Sequence, residues 1–268
     1  MGRYRYYLAL QTLLPDGYRE DSEFIQRMKT LKQFGFDGVE LNIRNPDSID
    51  PEDLKSFLGD FGLEMSMFAT GFTAKTEGLS LASTDERKRA ASVRRAKEFL
   101  AFANQFGAGI IAGFLKGTAG ENSQAHREAL KRSIEEVSEE AARLKTPFLV
   151  EAINRFESPL GNSLSDTWSL LERANREYTY ILPDTWHMNI EESNMAAALI
   201  THRDHFVSFH LSENNRYFPG YGALDFKQII GILDACGYQG KLAIEGNLKA
   251  GFAEDVRVAM ESLAPVLK

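Results

Sequence analysis

The chain is poor in cysteine: Cys236 is the single one among 268 residues. With no partner in the chain it excludes an intramolecular disulfide framework, and it excludes a cysteine-based zinc cluster as well. No run approaches the roughly 18 consecutive apolar residues that a membrane-crossing helix requires. The opening stretch MGRYRYYLALQTLLPDG has too short an apolar segment, and no small-residue cleavage site, for a secretory signal. Basic charge is not in excess, since 31 Lys+Arg stand against 38 Asp+Glu, a formal net charge of -7. That balance argues against nonspecific nucleic-acid binding, which depends on clustered cations neutralising phosphates. Neither GxGxxG nor GxxxxGK[ST] occurs, so no nucleotide-phosphate cradle is expected. These absences predict a soluble, cytoplasmic globular protein with no membrane or nucleic-acid partner, an enzyme or a binder of small molecules.

What the chain has is alternation. Short apolar runs, the candidate strands, lie at 6–10, 38–43, 64–68, 109–112, 148–152, 180–183, 207–211 and 242–245. Amphipathic helical patterns separate them, at 20–34, 51–61, 85–106, 124–144, 165–175, 191–200, 225–236 and 254–266. Pro51 follows Asp50 at a first helical position, and Ser83, Thr84 and Asp85 offer N-cap groups before Glu86. Phe34-Gly35, Phe61-Gly62, Phe106-Gly107 and Cys236-Gly237 place glycine where a left-handed C-cap is wanted. Eight strand–helix units at about 30 residues each account for the whole length without a composition break. The pattern predicts a single-domain (β/α)₈ TIM barrel spanning residues 1–268, in preference to a doubly wound sheet.

In such a barrel, reactive groups belong at the C-terminal ends of the strands. Four consecutive candidate strands finish in metal-competent side chains: Glu151, Asp184, His210 and Glu245. A lone acid at a strand end is ordinarily a loop cap or one half of an ion pair. Four such groups meeting at one mouth would repel and desolvate one another by several kcal/mol unless a cation joined them. Three carboxylates and one imidazole form a mostly hard donor set, suited to one divalent ion, Mn²⁺ or Mg²⁺ with Co²⁺ acceptable. Close by, His187 follows Asp184, and Arg155 and Glu157 follow Glu151, reading as an exposed ion pair when taken alone. Arg216 offers a fork of donors to substrate oxygens. The stretch Pro219-Gly220-Tyr221-Gly222 permits close backbone approach or loop closure. Lys116, in the loop after the fourth strand, reads as a solvated lysine.

The groups E-x-x-N-R-x-E (Glu151–Glu157), D-x-x-H (Asp184–His187) and H-x-x-E-N-x-R (His210–Arg216), in this order, together with Phe34–Leu41 and Leu79–Asp85, carry a resemblance. The chain resembles the xylose-isomerase-like barrel superfamily of sugar phosphate isomerases and epimerases, and within it the ketose 3-epimerases of the D-tagatose/D-psicose type. The resemblance implies that Glu151, Asp184, His210 and Glu245 bind one divalent ion, usually Mn²⁺. It further implies that Glu151 and Glu245 act as the acid/base pair on opposite faces of a ketose, exchanging the C3 proton through a metal-stabilised cis-enediolate. His187 and Arg216 would hold substrate oxygens, and Glu157 would orient the same network. A small sugar is the implied partner, and relatives are often dimers or tetramers, so a homodimer or homotetramer is expected.

Two departures bear on the substrate. Gly246-Asn247 stands where these epimerases commonly carry Ser-Phe, and the loop 113–117 lacks their Trp and Pro. Hydroxypyruvate isomerases and inosose dehydratases share the barrel and the acid-rich site and remain alternatives, as does a non-catalytic sugar-binding barrel. A nuclease of the endonuclease IV type uses the same fold, but its three-zinc site needs more histidines than the five present.

Overall fold

Glycine ends the helices as the sequence predicts. Gly35, Gly62, Gly107 and Gly237 have φ of 82°, 65°, 66° and 69°, a left-handed conformation that costs glycine nothing. Each turns the chain back towards a strand. The computed structural model describes residues 4–117, 120 and 122–268. Its strands are β1 (Tyr7–Leu13), β2 (Gly38–Asn42), β3 (Glu64–Ala69), β4 (Gly109–Ala112), β5 (Phe148–Glu151), β6 (Thr179–Leu182), β7 (Ser208–Leu211) and β8 (Lys241–Ile244).

All neighbouring strands pair in parallel, in the order β6-β5-β4-β3-β2-β1-β8-β7. The seam between β6 and β7 closes just beyond the strands, through the bridge Asp184↔His210 and the bond from His210 N to Pro183 O at 2.9 Å. Two of the predicted site residues therefore sit on the seam of a (β/α)₈ barrel.

The helices are α1 (Ser22–Phe34), α2 (Pro51–Asp60), α3 (Gly71–Glu77), α4 (Glu86–Asn104), α5 (Gln124–Leu144), α6 (Leu164–Leu170), α7 (Thr185–Glu191), α8 (Met195–Thr201), α9 (Phe226–Ala235) and α10 (Phe252–Leu267). The eight predicted helices all exist, although 165–175 stops at Leu170 and 191–200 begins only at Met195. Two more were not predicted. α3 and α7 have seven residues each, about two turns, too few for a 3.6-residue period to show.

The main core lies between strands and helices, built on side chains such as Leu8, Leu41, Phe68, Phe148 and Phe209 with no exposed surface. A second, small cluster of Met67, Ile111, Leu149 and Leu182 packs by itself. β1 runs three residues past its predicted end, carrying Gln11 and Leu13 up to the mouth, where both line the cavity beside Glu151 and Glu245.

A histidine pair is built into the wall. Ser165 Oγ lies 2.9 Å from His202 Nε2, and His202 Nδ1 lies 3.1 Å from His205 Nδ1. His205 stacks on Trp168 at 3.6 Å. One Nδ1 must be bare for this contact to hold, and burial pushes both histidines below their ordinary pKa of 6.5. The unfolded chain takes up these protons first, so stability is full above about pH 6.5 and is lost as the pH falls below it. Melting curves from pH 7.5 to 5.5 should fall more steeply for the wild type than for His202→Asn. Equal slopes would remove the pair from the acid response.

Candidate active site

Glu151, Asp184, His210 and Glu245 come from β5, the residue pair after β6, β7 and the residue after β8. Each offers one ligand atom, and the four atoms lie within 4.8 Å of one another. Asp184 and His210 have no exposed surface. His210 Nδ1 stands 2.7 Å from Glu245 Oε2, 3.7 Å from Asp184 Oδ2 and 3.8 Å from Glu151 Oε1. Despite the short approach, neither His210 Nδ1 nor Glu245 Oε2 forms a hydrogen bond. Atoms that crowd together without bonding are what a shared ion requires, because ligands about 2.1–2.2 Å from one ion sit roughly 3 Å apart. The donor set fits a divalent ion.

Electrostatics point the same way. Burial and the neighbouring Glu245 push the Glu151 carboxyl up to about 8. Burial would raise Asp184 too, but Arg216, His187 and His210 hold it well below the usual carboxylate range. Glu245 is likewise held low against burial by Arg216 and His210. Burial opposes charge on His210, yet Glu40 and Glu245 raise its pKa well above 6.5. The surroundings demand a positive charge at Nδ1, and a proton or a divalent ion could supply it, but not both.

Arg216 answers part of that demand. Its two terminal nitrogens reach Asp184 Oδ2 and Glu245 Oε1, both at 2.6 Å, and its guanidinium lies over the Trp186 ring at 4.6 Å. Arg216 has φ of 64°, an uncommon conformation for a side-chain-bearing residue. Its carbonyl accepts from Asn247 N at 2.6 Å, and Tyr217 bridges to Asn247. A Cβ on Gly246 would stand 2.9 Å from the Arg216 carbonyl oxygen, so the Gly246-Asn247 departure is tied to this lacing of two loops. The loop is fixed further by buried Glu213, which accepts from Gly220 N at 2.9 Å and Leu224 N at 3.1 Å. Close approach is therefore realised in the Pro219–Gly222 stretch, and the loop is tied down.

His187, only 2% exposed, receives bonds at Nδ1 from Asn154 N and lies 2.8 Å from Asn154 Nδ2. Its Nε2 stands 3.7 Å from Glu151 Oε1, and burial drops its pKa to about 4. Glu157 does not pair with Arg155: Arg155 binds Glu191 at 2.7 Å, across to α7. Glu157 is half-buried near the cluster, its carboxyl raised by burial. A cavity of about 310 Å³ opens beside Glu151 and Glu245, lined also by Thr70, Phe72, Lys75 and Phe114.

The sequence profile of the xylose isomerase-like TIM barrel matches residues 28–263. The chain belongs to that family. Within it, the chain is 28% identical over 236 residues to 3-dehydro-D-guloside 4-epimerase of Escherichia coli (strain K12), covering 84% of this chain and 88% of that protein. It is 28% identical over 228 residues to L-ribulose 3-epimerase of Mesorhizobium japonicum, covering 84% of this chain and 75% of the relative. A solved structure of an L-ribulose 3-epimerase superposes with a TM-score of 0.83 at 21% identity, over 98% of this chain and 94% of the other. These relatives are sugar epimerases, enzymes of the isomerase class. Among the described residues no helix is long and apolar enough to cross a membrane.

Seen as a member of this barrel family, the chain brings all seven predicted site residues to one end of the barrel. Two contributors escaped sequence reasoning. Glu40, on β2 and with no exposed surface, places Oε2 2.8 Å from His210 Nε2. It fixes the imidazole and leaves Nδ1 facing the cluster, the arrangement by which outer carboxylates orient metal-bound histidines. Its only sequence signal was an acid inside an apolar strand. Lys116 was expected in solvent and is instead fully buried, donating to Glu151 O at 2.7 Å and Gly161 O at 3.0 Å. Two carbonyls replace its water, and burial brings its pKa down to about 7. The loop after β4 makes room for the cluster at Gly113, where a Cβ would stand 2.4 Å from Glu151 Oε2.

Proposed function

We propose that the protein is a divalent-metal-dependent sugar epimerase that inverts C3 of a ketose by exchanging one carbon-bound proton between Glu151 and Glu245. The observation that carries this reading is the convergence of these two carboxylates, from β5 and the residue after β8, with Asp184 and His210 in one cluster, the two glutamates also lining one cavity. Glu151, Asp184, His210 and Glu245 would hold the ion. When bound, the ion supplies Lewis-acid stabilisation of the negative charge that develops on the substrate oxygens. Its hard, oxygen-rich donors favour Mn²⁺.

The two glutamates sit in unlike surroundings, Glu151 raised and Glu245 lowered. Such separation suits one group to carry a proton while the other takes one. His187, neutral because burial depresses it, can bond a sugar hydroxyl without adding charge. Arg216 balances two of the three carboxylates and presents its guanidinium at the cluster. Glu157 contributes polarity at the rim. Relatives that act at C3 and at C4 are both named epimerases, so the position of inversion is the finer part of this proposal. A cytoplasmic homodimer or homotetramer is part of the same proposal.

The deciding experiment is incubation with Mn²⁺ and a panel of free and phosphorylated ketoses in D₂O. Deuterium should enter C3 of a ketose, with its epimer as product. Label at the carbon of an aldose–ketose interchange, or loss of water, would replace the reading with an isomerase or a dehydratase. No exchange with any sugar would leave a binding protein.

A supporting prediction concerns Glu40. Glu40→Gln keeps the size but removes the charge facing His210, and should weaken divalent-ion affinity about 10–100-fold in calorimetric titrations. Unchanged affinity, with the fold intact by circular dichroism, would reduce Glu40 to a packing group.

A further inference from the structure

We infer that the sugar handled at this site carries an anionic group, a carboxylate or a phosphate, on the part turned away from the four-residue cluster and towards Lys75. The inference rests on the epimerase reading above and adds the class of substrate. The cavity lining mixes two chemistries. Glu151 and Glu245 supply carboxylates, and Phe72 and Lys75 of α3 with Phe114 supply rings and a cation. Lys75 is the one basic residue among the described residues of that lining.

Lys75 is exposed, but its ammonium is held against a ring. Nζ lies 3.5 Å from the centre of the Phe114 ring, so the ring face fixes the charge on the cavity wall. Among the described residues no carboxylate comes within 4.0 Å of it. Glu77, the acid next to it in the helix, is bound to Arg95 at 2.8 Å instead. Lys75 has company of its own sign. Arg44 lies over Phe72, another wall residue, at 5.4 Å, and Lys88 shares a second hollow with Lys75 and Phe114. Neither takes part in an ion pair among the described residues.

A chain with net charge -7 thus places three cations that make no ion pair among the described residues on one flank of its reactive mouth. The carboxylate of Glu157 feels Lys75 at longer range. Arg216, the cation on the other flank, is engaged by Asp184 and Glu245. A neutral sugar would leave Lys75 without a close ion pair, whereas an anionic substituent would supply one and fix which end of the sugar meets the cluster.

The test is calorimetric titration of the Mn²⁺-loaded protein with sorbitol, gluconate and sorbitol 6-phosphate. These share a six-carbon chain, differ in charge and lack a reacting carbonyl. One of the anions should bind at least about tenfold more tightly than sorbitol. The one that does so identifies the group as carboxylate or phosphate. The ratio should fall to within about twofold of unity in Lys75→Met and be largely restored in Lys75→Arg. Equal affinities for all three, or a preference that survives Lys75→Met because the anion binds elsewhere, would overturn the inference. The two readings fail separately. Absence of proton exchange with every sugar removes the epimerase assignment, while a neutral ketose turned over with no anion preference removes only this one.

Discussion

Replacing Glu245 by glutamine should lower epimer interconversion about 10³-fold or more, the scale expected when a positioned proton-transfer group is lost. Glutamine keeps the shape of the side chain and can still accept from Arg216, but it cannot take a proton from carbon. The loss should also be lopsided. If Glu151 and Glu245 work on opposite faces, each deprotonates only one of the two epimers. In Glu245→Gln one epimer should still exchange its carbon-bound proton with D₂O, without inversion, and the other should not. Glu151→Gln should show the opposite preference.

Metal content must be measured alongside, because Glu245 Oε2 also lies 2.7 Å from His210 Nδ1. Wild-type exchange of both epimers in both variants would end the two-base assignment. So would loss of exchange for the same epimer in each variant while the ion is retained.

Removal of the divalent ion should be nearly as damaging. Protein prepared without chelator is expected to carry about one ion per chain, bound by Glu151, Asp184, His210 and Glu245. Stripping it leaves Asp184 and Glu245 balanced by Arg216 and His210, and drives Glu151 towards its neutral form. An ion held at a hundred times its Kd stabilises a protein by about 2.7 kcal/mol. At roughly 2–4 °C per kcal/mol, chelation should therefore lower the Tm by roughly 5 °C or more. Activity should vanish with the ion and return on adding Mn²⁺.

Asp184→Asn separates ion binding from folding. Asp184 Oδ1 accepts from Trp186 N at 2.7 Å at the start of α7, and the asparagine oxygen can keep that cap. Ion affinity should fall by at least about a hundredfold, more than for a carboxylate acting through a histidine. Less than about half an equivalent of ion in the wild type, or full binding by Asp184→Asn, would count against the four-ligand site.

The parts legible in the sequence were those with a local cause. Glycines after Phe34, Phe61, Phe106 and Cys236 marked the helix ends because a left-handed cap is a property of a few adjacent residues. Strand-end acids and the histidine stood out because a parallel barrel puts every strand's C-terminal end on one side. The short helices α3 and α7 were not legible, since two turns carry too little periodicity. The site's charge balance was illegible for a different reason. Arg216 reads as a substrate contact by its place in the motif, yet only the turn at φ 64° brings its guanidinium onto Asp184 and Glu245.

The sequence by itself determined the barrel and the hard-oxygen character of the four strand-end donors, because these follow from residue type and from spacing along the chain, whereas the roles expected of His187, Arg216 and Glu157 came from the resemblance to a family. Tertiary structure alone decided that Glu40 stands behind His210, 170 residues away, that Lys116 is buried beneath Glu151, and that Arg155 pairs with Glu191 and not with Glu157. A buried ionic group is satisfied by whatever donor or acceptor the closed barrel brings within about 3 Å, and nothing in the order of residues fixes which one that is. The same closure put Lys75 on the lining of the cavity that also holds Glu151 and Glu245, the placement on which the proposed anionic substituent rests.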